Sequence, residues 1–421
     1  EKNNTGFGVS ALHSNLTGSL NVAIGDSALY ANENVSGNVA LGSAALRFNT
    51  TGFGNVAAGY RSSYANTTGF INSSVGTSSL ISNTTGYRNT AIGGDALFYN
   101  TDGFENTGIG SASLYANTTG DYNTAVGSYA LYSNTTGGTN TAVGRYSLVF
   151  NSTGDNNSAI GVNSLLNNTS GSVNTGLGVG TLSSNTTGNA NTAAGVSSLL
   201  SNTSGNSNSA FGRSALRLNT TGSDNTAVGD SSGMKNIGSG NVFLGKKAGW
   251  NETAANNKLY IGNNPEATIL YGDFSTGQLL IGNNNPLEYS FIGNRKLNVV
   301  GGTITDSLRV ALVSDWADYV FDKKYPLLTL KEVESFIEKN GHLPNIPTTE
   351  EIKTTGLNVA EMDKKLLEKI EELTLYILQQ QKVIDAQRDK LKTQDNRFEE
   401  QNKRMDALQN QLDALMLLIK K

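Results

Sequence analysis

"NTAVGSYALYSNTTG", residues 123–137, contains no His, Cys, Asp, Glu, Lys or Arg, so it offers almost nothing for acid–base or metal chemistry. Close copies of it fill more than half of the 421-residue chain. The copies keep a strict count. Gly8, Gly25, Gly42 and every glycine of that series to Gly229 stand 17 residues apart. Two asparagine series keep the same step, one from Asn15 to Asn219 and one from Asn21 to Asn225. Departures are local: Ser63 stands where neighbouring repeats have Leu, and Gly37 is displaced within its unit.

Each unit reads N-T-A-V/I-G-x-x-A/S-L-x-x-N-T-T-G-x-x. The "NTAV" and "AL" pieces each suit a short strand, and the Gly- and Asn-rich pieces suit turns with positive φ. Two or three short strands per coil are expected. Coils of equal length stack like on like, at roughly 4.8 Å per rung. Asn then forms amide ladders and Leu and Val form apolar columns. Fourteen such rungs would extend roughly 65 Å. The expected fold is mainly β, a parallel β-roll or solenoid over residues 1–245. Its apolar core is thin for the backbone it must order, which favours further burial between chains and hence an oligomer.

Composition narrows the function classes. Gly occurs 48 times and Pro 5 times, which with regular spacing points to a repeat architecture rather than a disordered tract. The formal net charge of −4 gives no overall basic character for nucleic acid. There is no Cys, and the two His, His13 and His342, make a His-based metal cluster a poor expectation. No cofactor is expected. No apolar run approaches the roughly 20 residues that span a bilayer. The opening "EKNNTG" lacks a start Met and an apolar signal region, and reads as a processed or truncated N-terminus from which an export signal has been removed.

"NVAIGDSAL", "NTAIGGDAL" and "NTAVGSYAL" resemble the head repeats of trimeric autotransporter adhesins, which implies left-handed parallel β-rolls associated as trimers. The family coil is usually shorter, and the "NTTG" arm is an extension here. The resemblance spans residues 1–245 and implies a fold, not a ligand.

Beyond Gly229 the period falters, and "KLYIG", "ATILYGDF", "QLLIG" and "KLNVVGGTITDSLRV" alternate in the β manner. Residues 246–313 read as a β transition module with Trp250 and Tyr260 in its core. Residues 314–360 read as a helical collar, with capping boxes at Thr329/Glu332 and Thr348/Glu351 and glycine stops at Gly341 and Gly356. Residues 361–421 read as a coiled-coil stalk. Its a positions include Ile377, Ile384, Leu391 and Phe398, and its d positions Gln380, Gln387, Gln394 and Gln401. Ile at a with Leu at d leans towards a dimer, but four successive Gln at d suit the wider core of a trimer. These eight residues are the expected trimer core.

"RKLNVVGGTITDSLRV", "DYVF", "HLPNIP" and "LLEKIEELTLYILQQQK" resemble the C-terminal region of tail-fibre-like surface proteins of Bacteroidota. That region is distantly similar to the intramolecular chaperone of phage tail fibres and endosialidases. The resemblance implies an extracellular or particle-borne trimeric fibre. The chaperone family can cut itself at a Ser; Ser314-Asp315 occupies a comparable junction but lacks the basic run that follows in the family, so a loop between modules is expected.

Candidate sites are sparse. Phe53, Phe70, Tyr87 and Phe104 recur at one repeat position in consecutive coils and should stack into an aromatic stripe, either a ligand platform for a glycan or cell-surface receptor or a structural ladder. Tyr30, Tyr64, Phe98, Tyr115 and Tyr132 form a second series. Ser27 and Ser307, in Asp-Ser-Ala and Asp-Ser-Leu, match a short O-glycosylation motif of Bacteroidota. Sequons such as Asn49-Thr50-Thr51 are accounted for by turn and ladder roles. The repeats hold no carboxylate pair for a glycan hydrolase, and no enzyme activity is expected. The expected function is a structural and adhesive homotrimeric fibre, extracellular or at the cell surface. A phage or injection-system tail fibre shares the architecture. An ice-binding solenoid, suggested by Thr135 and Thr136, lacks a flat two-column array because adjacent Thr point to opposite faces.

Overall fold

The protein is described by a computed structural model covering residues 3–265, 267–282, 294–308, 310 and 316–419. Ser314-Asp315 lies outside the described residues. The chain divides into two compact units, Glu1–Thr303 and Ile304–Lys421.

The first unit is a parallel β-solenoid. Each coil contributes a single three-residue strand, from β1 (Thr5–Phe7) to β15 (Val242–Leu244). Pairing is in register: Thr5 faces Val22, Gly6 faces Ala23 and Phe7 faces Ile24. The same register recurs to β14 (Thr226–Val228), where Thr226 faces Val242 across a coil shortened to 16 residues. The ladder continues into β16 (Lys258–Asn264), which then turns back as an antiparallel hairpin with β17 (Ala267–Asp273). β18 (Gln278–Ile281) and β19 (Leu297–Val299) complete the sheet.

The "AL" piece is not a strand, contrary to the expectation of two or three strands per coil. Its Leu sits in the left-handed region, with φ of 49° at Leu29, 51° at Leu46 and 52° at Leu97. That conformation costs about 1–2 kcal/mol for a non-glycine residue. Full burial of a Leu side chain contributes about 1.5–3 kcal/mol. Every Leu of the series from Leu29 to Leu216 is 0 % exposed, so burial outweighs the strain. The left-handed Leu turns its side chain inward against the strand-centre Ala of the same stack, such as Ala125 and Ala142.

The glycine spacing has a steric cause. A Cβ on Gly127 would lie 2.6 Å from the carbonyl oxygen of Gly144, and its φ of 138° belongs to glycine. The rung spacing demands this residue in each coil.

Asparagine fills the rest of the interior. Asn134 Nδ2 donates to Asn117 Oδ1 at 2.7 Å and to the Gly137 carbonyl at 2.9 Å, and Asn151 Nδ2 donates to Asn134 Oδ1 at 2.8 Å. In the second column the Asn140 backbone N–H donates to Asn123 Oδ1 at 3.0 Å, and Asn123 Nδ2 reaches the same Gly137 carbonyl at 2.9 Å. Both columns are buried. Each amide is bonded above and below, so burial leaves few polar atoms unpaired.

Two substitutions interrupt the apolar column. At Ser63 the Leu is replaced, and Ser62, Ser63, Ser74 and Ser79 form a buried hydroxyl cluster with Oγ–Oγ distances of 2.6–2.9 Å. This cluster separates the apolar core around Leu29 and Leu46 from the one that begins at Leu80. Near the other end, Gly233 takes the Leu position and Phe243 the strand-centre Ala position. A Cβ on Gly233 would meet the Phe243 ring at 2.5 Å, so the large residue on the strand has claimed the volume of the missing Leu. Tyr260 stacks on Phe243 at 5.4 Å and is core, as expected. Trp250 is not; it is half-buried at the surface, with the ammonium groups of Lys235 and Lys247 within 5.2 Å and 5.1 Å of its ring.

The second unit contains a 3₁₀ turn (Ala317–Phe321) and three helices, α1 (Leu330–Asn340), α2 (Thr349–Thr355) and α3 (Val359–Ile419). Both expected capping boxes are formed, at Thr329/Glu332 and Thr348/Glu351, and Gly341 caps α1 with a φ of 74°. Ala317 and Val320 of the turn are buried, and the turn packs on α3.

The Gly233–Phe243 exchange generates a double-mutant test. Gly233→Leu alone should lower stability by about 2 kcal/mol or more through overpacking, and Phe243→Ala alone by about 3–5 kcal/mol through a cavity. The pair together, read by urea denaturation, should recover most of both losses; simple addition of the two would contradict the shared-volume account.

Candidate functional site

The solenoid holds inward Ala, Leu, Asn and Gly constant, so any recognition chemistry lies on outward positions. The first and third residues of each strand point out. They form one column rich in Thr and another of Ile24, Leu41, Val75, Ile92, Ile109 and their equivalents, half-exposed along the sheet. The first threonine of the "NTT" arm is committed to the next coil: Thr118 Oγ1 donates to the Thr135 carbonyl at 3.0 Å and Thr135 Oγ1 to the Ser152 carbonyl at 2.9 Å. These hydroxyls bridge coils, while Thr136, the second threonine of its arm, is exposed.

The aromatic stripe is in place. Phe53 and Phe70 centroids are 5.2 Å apart with an interplanar angle of 11°, Phe70 and Tyr87 4.8 Å apart at 2°, and Tyr87 and Phe104 4.8 Å apart at 3°. The rings stack face to face, so the faces between them are covered, while Phe53 at the end of the stack stays half-exposed. A sugar ring packs on an aromatic face, so the geometry favours the structural ladder over the ligand platform. Tyr122 closes one end, at 5.2 Å and 80° to Phe104. Arg88 bridges to Glu105 at 3.0 Å beside it.

The second series behaves differently. Phe98 and Tyr115 stack at 5.1 Å, and Tyr115 and Tyr132 at 4.9 Å. Tyr99, from the adjacent repeat position, stands at 70° to Phe98 and 84° to Tyr115. Sequence reasoning missed this ring and its equivalents.

Ser27 is 8 % exposed and its Oγ lies 3.5 Å from Asp26 Oδ2, so the folded coil shields it from a glycosyltransferase. Ser307 is exposed. Asn49 of the Asn49-Thr50-Thr51 sequon is buried and donates to the Gly52 carbonyl at 2.8 Å. Among the described residues, no cluster of three or more His, Cys, Asp or Glu could hold a metal, and no helix is long and apolar enough to cross a membrane.

In the second unit, Ile377, Ile384, Leu391 and Phe398 lie exposed along α3, as do Gln380, Gln387, Gln394 and Gln401. The N-terminal part of that helix carries a charged cluster. Tyr319 Oη donates to Glu368 Oε2 at 2.7 Å, Tyr325 Oη to Glu372, and Lys369 Nζ lies 2.7 Å from Glu372 Oε2. Burial opposes the charge on Glu368, but hydrogen bonds from Tyr319 and Asn345 and the Lys369 ammonium outweigh it and hold the carboxyl below its usual range. The bond to Glu368, with burial, pushes the Tyr319 hydroxyl up to about 12. Desolvation and the bond to Glu372 raise Tyr325. These groups tie the 3₁₀ turn to α3 and form a clamp, and Lys369 and Glu372 also border an apolar groove between α1 and α3 that Leu330, Val333 and Leu373 line. No protein-family model, curated protein or solved structure matches the chain.

Two measurements follow from this geometry. Phe70→Ser and Tyr87→Ser each remove two ring pairings and should each cost about 1–3 kcal/mol, while Phe53→Ser removes one and should cost about half as much. Equal costs along the stripe would contradict a stacked ladder. For the clamp, the Glu368 contribution is complete above the ordinary Glu range and is lost as pH falls through its lowered value. The Tyr319 contribution is complete below pH 10 and is lost as pH rises towards about 12. Tyr319→Phe should cost about 1 kcal/mol at pH 7 in thermal melts of the second unit and flatten both limbs.

Proposed function

We propose that the chain is one protomer of a parallel homotrimeric fibre, extracellular or at the cell surface, with a structural and adhesive role. The observation that carries this reading is the 61-residue helix α3, whose apolar a positions and leading and trailing d positions are exposed together along one chain. A helix of this length with an uncovered stripe needs partner helices to bury it. Gln at four successive d positions favours a trimer over a dimer. The half-exposed Ile and Val column of the solenoid is a second apolar surface that association between chains would cover. Regular coils without a clustered reactive group support a role in reach and presentation rather than catalysis.

In this reading the stalk brings three chains into register, and the coils then add one at a time on a held template. Native mass measurement of the full chain should give three copies. Changing Gln380, Gln387, Gln394 and Gln401 together to Leu should raise thermal stability and move the mass towards a dimer, because Ile at a with Leu at d favours two strands. Removal of residues 357–421 should leave the remaining residues 1–356 monomeric or aggregated. A native monomer, or a truncated head that trimerises at the normal yield, would overturn the proposal.

A further inference from the structure

One outward position of the solenoid carries a pattern at a longer period than the coil. Phe48, Tyr99 and Phe150 are each 51 residues apart, which is three coils of 17. The two coils between each pair place Ala65 and Ser82, then Ala116 and Ser133, at the same position. The backbone holds all seven residues in one column. Each N–H donates to the carbonyl 16 residues on: Phe48 to Tyr64, Ala65 to Ile81, Ser82 to Phe98, Tyr99 to Tyr115, Ala116 to Tyr132, Ser133 to Val149 and Phe150 to Leu166. At roughly 4.8 Å per rung the three aromatic rings recur about every 14 Å.

These rings differ from the stacked stripe in what they present. Phe98 and Tyr115 lie face to face, leaving no room for an edge between them. Tyr99 stands steeply to both, at 4.8 Å and 5.2 Å between centroids, so it is not part of their stack and stays half-exposed. Phe48 stands at 86° to Tyr64. Phe48 is 42 % exposed, Tyr99 47 % and Phe150 51 %. The Arg47 guanidinium lies over the Phe48 ring, 5.7 Å from its centroid, and brings donors to that platform.

We propose that Phe48, Tyr99 and Phe150 form a binding face for a linear polysaccharide, which lies along the solenoid and stacks a sugar ring on each platform. The face of a pyranose carries C–H groups that suit an aromatic plane, and its rim carries hydroxyls that suit the intervening serines. Along this column Ala and Ser set the rings apart, so the exposed aromatics repeat evenly rather than gathering at one centre as in a protein interface. A polymer with its own fixed repeat instead gains from evenly spaced contacts, because each bound platform raises the effective concentration of the next. The inference rests on the adhesive reading and names its ligand class.

Affinity electrophoresis of the full chain through gels containing hydroxyethylcellulose, xylan, glucomannan, laminarin or chitosan tests it. At least one of these polymers should retard the protein. Each single change to Ala at Phe48, Tyr99 or Phe150 should weaken retardation about tenfold, as for other truncated anchor aromatics. Tyr99→Ala combined with Ala116→Tyr keeps the ring count but breaks the spacing, and should weaken it as much as Tyr99→Ala. Absence of retardation in every gel, retardation unchanged in the triple Ala variant, or a triple variant with altered native mass would overturn the proposal. Surface adhesion measured in parallel separates the two readings: adhesion that survives in the triple variant removes the glycan face alone, and a wild-type chain that adheres to nothing removes the adhesive reading itself.

Discussion

The whole solenoid depends on one constraint: a buried amide must find its partner in the coil above. Asn117, Asn134 and Asn151 are bonded in series, and a buried amide without its neighbour loses about 1–3 kcal/mol for each orphaned group. Series bonding also polarises each link, so the ladder is worth more intact than as separate pairs. Coil length is therefore not free to drift. The one 16-residue coil shows the consequence. Asn225 and Asn241 keep the second column, yet Asn219 Oδ1 and Asn236 Oδ1 are left buried without a partner in the first. The strict period ends there, and the ladder soon gives way to the β16–β17 hairpin.

That constraint explains what could be read from sequence. Gly and Asn spacing reports a physical requirement at each rung, so the stack, its register and its amide ladders were legible. The left-handed Leu was not. Nothing in "AL" distinguishes a strand from a turn whose strain is offset by burial. Trp250 was expected in the core of the transition module, whereas it lies half-buried at the surface beside the ammonium groups of Lys235 and Lys247. The serine interruption was visible at Ser63, but Ser74 and Ser79 come from the next coil and needed the folded register.

The candidate sites divide in the same way. A period places Phe53, Phe70, Tyr87 and Phe104 in one column, but ring orientation decides whether faces or edges meet solvent. Sequence carries the column and not the orientation. The heptad of α3 was legible because it is a one-dimensional pattern on a single helix. The clamp of Tyr319, Tyr325, Glu368 and Glu372 was not, since it joins residues more than 40 positions apart.

The division of labour within a coil bears on how such a protein acquires a surface. Inward Ala, Leu, Asn and Gly are coupled to the coils on either side, so a change there propagates. Outward positions such as those of Phe48, Ala65 and Ser82 share a backbone ladder but no side-chain requirement. Aromatic, small and charged residues therefore replace one another there at little cost to folding. The backbone still quantises where they fall, in steps of roughly 4.8 Å along the stack. A surface built this way changes composition freely while its spacing stays rigid. Rigid spacing is what a repeating polymer can be measured against, and a globular scaffold with irregular loops has no equivalent ruler.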